Sequence, residues 1–254
     1  MAKIFKYELK RLLLSKLFIA LIFVNALFAW YVLNADTIIG VAFTAPFSVW
    51  SFGAYLAGVM PMFIMTTMFM LSFYFSNKEE QVAVLTSATP VDALKYMLVR
   101  GAVVVLCFLL LCLIAIAMSV YFYITYFDYW NFAVFIVPAI VTVIPGFVFL
   151  LGVGYWLARV RSWLLYMFIP VSFILSFAAL PGAFDFFGGG FYRHFPLTLP
   201  VEVNGEPAFV YSTMFLMTRV LYLIVGSILL FAGGICQQSV LHKCFYQKRV
   251  NLNF

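Results

Sequence analysis

Six runs of about twenty uncharged, apolar residues decide what this chain can fold into. They lie at about Leu17–Leu33, Trp50–Phe75, Leu98–Phe122, Phe132–Leu157, Trp163–Leu180 and Met214–Cys236. A run of that length crosses roughly 30 Å of hydrocarbon as a helix. In lipid every backbone N–H must find its partner within the segment, so the interiors of these runs are expected to be helical. The fold class that follows is an all-α polytopic membrane protein with six spans. Composition agrees: 9% of the 254 residues are charged, against about a quarter in a soluble domain.

Lysine and arginine set the expected orientation. With the N-terminus inside, Lys3, Lys6, Lys10, Arg11, Lys16, Lys78, Lys95, Arg100, Arg159, Arg161, Lys243, Lys248 and Arg249 fall on the cytoplasmic side. Only Arg193 and Arg219 fall outside, together with Asp36, Asp128, Asp185, Glu202 and Glu206. Both termini are therefore expected in the cytoplasm, and the localisation is a cell membrane, of bacterial plasma-membrane type. The net charge of +6 is accounted for by this bias, with contact to anionic lipid as a by-product and no nucleic-acid partner. The four cysteines fall in spans or on the inner side and lack zinc-ligand spacing. The first span reads as a retained anchor, since no small-residue cleavage site follows it.

The chain reads as one transmembrane domain over 1–254, with four appendages. Residues 3–16 form an amphipathic helix, with Ile4, Phe5, Leu9, Leu12 and Leu13 on one half of the wheel and Lys3, Lys6 and Lys10 on the other. Such a helix lies in the inner headgroup plane as an elbow before the first span. Residues 76–96 are a polar detour containing Asn77-Lys78-Glu79-Glu80-Gln81 and Thr86-Ser87-Ala88-Thr89-Pro90-Val91-Asp92. Thr89 can cap a helix, Pro90 suits its first position and Asp92 suits its positive end. A short helix over about Glu79–Thr86, a break, and then the helix of the third span are expected. Residues 181–213 are the large outer insertion, whose aromatics Phe184, Phe186, Phe187, Phe191, Tyr192 and Phe195 predict that its first part hugs or re-enters the outer leaflet. Its Asn204-Gly205 step predicts a small hairpin. Residues 237–254 form a basic cytoplasmic tail.

The fourth span carries Pro138, Pro145, Gly146, Gly152 and Gly154, which predicts a bend or local irregularity. Ala54 and Gly58 in the second span have the small-xxx-small spacing of close helix packing. Arg100 and Arg219 lie near opposite boundaries, where snorkelling is the expectation.

Chemistry inside the membrane is expected from buried ionisable groups. The interiors of the six runs carry none, no phosphate-binding glycine loop is present, and no nucleophile–base pair has usable spacing. His194 and His242 fall on opposite sides, so one monomer cannot use them on a shared metal. The reading is a protein that is not itself an enzyme, holds no metal or cofactor of its own, and is worked from outside the bilayer. A channel or facilitator that needs no ATP, or a membrane interaction or assembly factor, stays open at this point.

Five features together resemble the type-2 ABC exporter permease family: the basic elbow, six spans with both ends inside, the detour Glu79–Asp92, a bent fourth span, and the insertion before the last span. The detour carries the most specific part. Glu79-Glu80, Val82-Ala83-Val84-Leu85 and Thr89-Pro90-Val91 are similar to the family's acidic start, short apolar helix and Thr-Pro-Val-like stop, although the Gly-Thr-Leu-Glu often found between them is missing here. The resemblance implies that Glu79, Glu80, Val82, Leu85, Thr89 and Pro90 form a coupling helix seated in a separate cytoplasmic ATPase subunit. Arg159 and Arg161 and the elbow residues Lys3, Lys6, Lys10 and Arg11 would flank it. It further implies two ATPase copies, which bind ATP and Mg, and a second permease chain, identical or paralogous. The cargo would be hydrophobic or amphipathic, such as a peptide, lipid-like or drug-like molecule. The outer insertion would help cap the exit.

Overall fold

The computed structural model describes residues 2–76, 93–177, 185–201 and 206–251. The detour residues Glu79, Glu80, Val82, Leu85, Thr89 and Pro90 lie outside them, as do 178–184 and 202–205. The described residues are helical apart from turns and one isolated antiparallel bridge, Val201 with Pro207, where the sequence predicts a hairpin.

The helices in chain order are α1 (Ala2–Leu13), α2 (Lys16–Ala35), α3 (Val49–Phe73), α4 (Ala93–Phe127), α5 (Ile136–Val160), α6 (Ser162–Phe177), α7 (Gly189–His194) and α8 (Thr213–Asn251). Five of these segments are long and apolar enough to cross a membrane: Lys16–Ile39, Val49–Phe73, Leu98–Phe127, Phe132–Val160 and Thr213–Gly233. The remaining apolar run, the fifth in chain order, appears as α6, a 16-residue helix, which at 1.5 Å per residue is about 24 Å long. The protein is thus a membrane protein built from an apolar helical bundle.

Local signals explain the helix starts. Ser15 is extended between α1 and α2 and accepts from the Phe18 amide at 3.2 Å, while its hydroxyl donates to the Leu12 carbonyl at 2.8 Å. That one residue ends α1 and begins α2. Ser48 caps α3 in the same way, accepting from Ser51 at 3.1 Å.

The bundle is organised around α3. Its apolar stretch is the most buried of the five, so α3 is the axis: α2, α4, α5 and α6 pack against it, while α8 packs on α5. With lipid tails as apolar as leucine, packing and a few polar bonds hold such helices together. Asn25 on α2 donates to Thr66 Oγ1 on α3 at 2.8 Å, and Tyr55 on α3 donates to the Ala115 carbonyl of α4 at 3.0 Å.

α5 packs most extensively on α8. One glycine of the fourth run and one of the last serve this contact: a Cβ on Gly152 would stand 2.5 Å from the Gly226 carbonyl oxygen, and one on Gly226 would stand 2.6 Å from that of Val148. The two backbones touch. α5 runs unbroken through Pro145, preceded by a 3-10 turn at Phe132–Phe135.

Candidate functional site

Two polar assemblies, one at each end of the bundle, contain most of the described charged groups that are withdrawn from solvent.

The first lies at the end that carries α1. Lys3, Lys6, Lys10 and Arg11 are exposed on α1, as the amphipathic pattern predicts. Its buried stripe differs from that pattern. Glu8 is only 2% exposed and sits at four-residue spacing between Ile4 and Leu12, in the middle of the apolar face. The Tyr96 hydroxyl of α4 donates to Glu8 Oε1 at 3.2 Å, and Arg100 Nε lies 3.7 Å from the same oxygen. Glu8 Oε2 lies 3.5 Å from Arg11, one turn along its own helix. Arg100 donates to the Tyr96 hydroxyl at 2.6 Å and stacks over the rings of Tyr96 and Tyr74, at 4.4 and 4.9 Å. Arg100 therefore does not snorkel: it is drawn sideways into a carboxylate and two aromatic faces.

Arg159 and Arg161 separate at this same end. Arg159 donates to the Tyr155 hydroxyl at 2.9 Å and lies 5.2 Å over the Phe75 ring. Arg161 is exposed, in an extended conformation that ends α5. Phe75 and Tyr74 lie just before residues 77–92, and Tyr96 and Arg100 lie just after. Both flanks of the polar detour are thus tied to neighbouring elements, one to α5 and one to α1.

The second assembly fills the opposite end. The segment Asp185–Thr198 folds back into the bundle as a plug made of α7 and a 3-10 turn at Phe195–Thr198. The Asp185 carboxylate accepts from four successive amides, those of Gly188, Gly189, Gly190 and Phe191, at 2.8, 2.9, 2.8 and 3.2 Å. These are the orphan donors of the α7 N-terminus, and a carboxylate is their best partner. Gly188 is left-handed at φ 84°, and a Cβ there would stand 2.8 Å from Phe215.

Aromatic side chains drive the plug inward. Phe187 and Tyr192 are at most 2% exposed. The Tyr192 ring fills the space where a Cβ on Gly53 of α3 would be, 2.3 Å away, and its hydroxyl bonds Thr142 of α5 at 2.8 Å. A Cβ on Gly146 of α5 would meet the Phe186 carbonyl at 2.6 Å. Gly146 is ten residues into α5, roughly 15 Å along the axis, which is about half of a span. The insertion therefore re-enters the bundle itself.

Arg219 of α8 fastens the plug. It is 3% exposed, donates to the Phe186 carbonyl, and donates to the Asp185 carbonyl at 3.0 Å. Its guanidinium lies 4.3 Å over Phe215 and 5.6 Å over Tyr222. The snorkelling expected of Arg219 is overturned: bonds to two carbonyls and two ring faces outweigh the route to water. Outside the plug, Glu206 accepts from the Ala45 amide at 2.7 Å, Trp50 donates to the Pro207 carbonyl at 3.2 Å, and Arg193 pairs with Asp36 at 2.7 Å. These bonds close the far end of the bundle around the plug.

Sequence reasoning passes over Glu8 and Asp185. Each leaves a signal: Glu8 breaks the apolar stripe of α1, and Asp185 stands three residues before Gly188-Gly189-Gly190, close enough to accept from amides that carry no side chain. Among the described residues no group of three or more His, Cys, Asp or Glu side chains gathers to hold a metal ion. Neither assembly presents a nucleophile beside a base. Both hold segments to the ends of an apolar bundle. Comparisons with family models, with curated proteins and with solved structures return no match.

Proposed function

We propose that this protein is the transmembrane subunit of an ATP-binding-cassette exporter, with residues 77–92 as the segment that a cytoplasmic ATPase engages. The observation that carries this reading is the treatment of that segment's two flanks. Phe75 lies under Arg159 of α5, and Arg100 and Tyr96 bond Glu8 of α1. A push delivered between the flanks would reach α1, α3, α4 and α5 together, as an external motor requires. The apolar spans support the same reading, since they offer no chain of titratable groups to couple transport to protons. The plug supports an exit that is closed at rest.

In this reading six spans cross a cell membrane, the α1 end faces the cytoplasm, and the plug end faces out. Two such chains, identical or paralogous, line the path, and two ATPase subunits bind ATP and Mg beneath them. The cargo is hydrophobic or amphipathic. ATP-driven closure of the ATPases would shift the pair between inward- and outward-facing states.

Co-purification with a separate soluble ATPase that carries a phosphate loop, sought among the neighbouring genes, tests the coupling segment. Glu80→Lys and Leu85→Asp are each expected to lower ATPase retention by about tenfold, as for the loss of an interface anchor of roughly 1.4 kcal/mol or more. If both inserted variants retain the ATPase and its transport-stimulated turnover, the assignment of 77–92 is wrong. Solute flux through liposomes of the purified chain without ATP would favour a channel instead.

Orientation has a separate check. Phe43 is 94% exposed at the plug end and Tyr7 is 66% exposed on α1. Single cysteines at these positions are expected to react with an impermeant maleimide from outside at 43 and only after permeabilisation at 7. The opposite pattern would invert the topology.

A further inference from the structure

We propose that Glu8 is a transferable latch, through which α1 docks on α4 by an ion pair that can separate without stranding either charge. A buried carboxylate is costly to leave uncompensated, so a helix held by one ordinary buried ion pair is locked in place. Here both halves of the pair carry a second partner that stays with them. Glu8 lies beside Arg11 on its own helix, at 3.5 Å, and Arg11 travels with α1 wherever it goes. Arg100 keeps the Tyr96 hydroxyl at 2.6 Å, one turn away on α4, and the faces of Tyr96 and Tyr74. When α1 leaves α4, Glu8 loses Arg100 and the Tyr96 bond but not its countercharge. Arg100 likewise loses Glu8 but not its aromatic cage.

The placement of Glu8 makes this arrangement necessary. It stands between Ile4 and Leu12 on the face that also meets the acyl boundary once the helix is free of protein. A carboxylate on that face is unfavourable in lipid unless a cation on the same helix neutralises it. Arg11, with its side chain 39% exposed, already leans from the polar face toward it. The remaining cations of α1, Lys3, Lys6 and Lys10, are exposed on the other side. They hold the helix to an anionic surface in either position and do not choose between the two. The choice rests on Glu8, with Arg100 favouring the docked state and Arg11 relatively favouring the undocked one.

That opposition gives a test independent of any ATPase. The full chain, with its native cysteines replaced, is spin-labelled at Tyr7→Cys on α1 and Leu98→Cys on α4. Both positions are exposed, at 66% and 60%. In lipid nanodiscs, dipolar broadening reports the fraction of molecules with α1 near α4, and warming brings the native protein to a temperature where both separations are populated. There, Glu8→Gln and Arg100→Gln are expected to raise the ratio of separated to docked molecules by about fivefold or more. Arg100→Lys, which keeps the charge, is expected to change it less. Arg11→Gln is expected to lower the ratio, because it removes the countercharge on α1 that Glu8 keeps after separation. If Arg11→Gln instead raises it as Arg100→Gln does, the cluster is a static three-way bridge and the latch is refuted. No response to Glu8→Gln refutes it equally.

Discussion

Replacing Asp185 with alanine is expected to release the plug and to lower stability by about 1–3 kcal/mol, the range found when withdrawn hydrogen-bond donors are left without their acceptor. Asp185 has two tasks that no neighbour can take over. Its carboxylate holds the four amides at the start of α7, and its backbone carbonyl accepts from the buried Arg219 guanidinium. Without the carboxylate, four half-buried donors lose their acceptor, and the buried Arg219 loses the charge beside it. Asp185→Asn keeps an acceptor but no charge, and should fall between native and alanine. A cysteine placed at Thr142, which is fully buried under Tyr192, reads the outcome. Its reaction with a water-soluble maleimide should rise steeply in Asp185→Ala. Unchanged reactivity at 142 would mean that aromatic packing alone seats the plug.

Gly226→Val is expected to be the most damaging single change within the spans. Its Cβ would stand 2.6 Å from the Val148 carbonyl oxygen and 2.7 Å from the Phe149 amide nitrogen and Cα. All three atoms belong to helical backbone, so no rotamer change relieves the clash. α5 and α8 must move apart. Overpacking of a well-filled core costs about 1–3 kcal/mol and more when backbone must shift; opposed backbones put this site at the upper end. Gly101 is the control. It is also helical, but a Cβ there meets nothing within 4 Å, so Gly101→Ala should be neutral or gain up to about 1 kcal/mol of helix propensity. Thermal midpoints of the two variants in one detergent compare them. Equal midpoints would contradict the backbone contact between α5 and α8.

The two sites differ in how far their sequences announce them. The aromatic density of 184–195 announces a segment that avoids water, and Asp185 before three glycines announces a cap. Neither says that the capped turn would enter the bundle beside α3, since that depends on Gly53 and Gly146 leaving room on other helices. Glu8 is similar. An acidic residue on an apolar stripe is an anomaly until Arg100, 92 residues later, is seen to meet it. Arg219 reads as a boundary arginine because one-dimensional position cannot tell a side chain that reaches water from one that finds carbonyls first.

The helical, membrane-embedded character of the chain was legible from residue order, because lipid requires each span to satisfy its own backbone and so makes span length and polarity a local property. So was the charged face of α1, which depends on neighbours three or four residues away. The plug, the Glu8 contact and the touching backbones of α5 and α8 came only with the packed bundle. Each joins residues far apart in the chain, and each depends on distances of a few ångströms that no local pattern encodes.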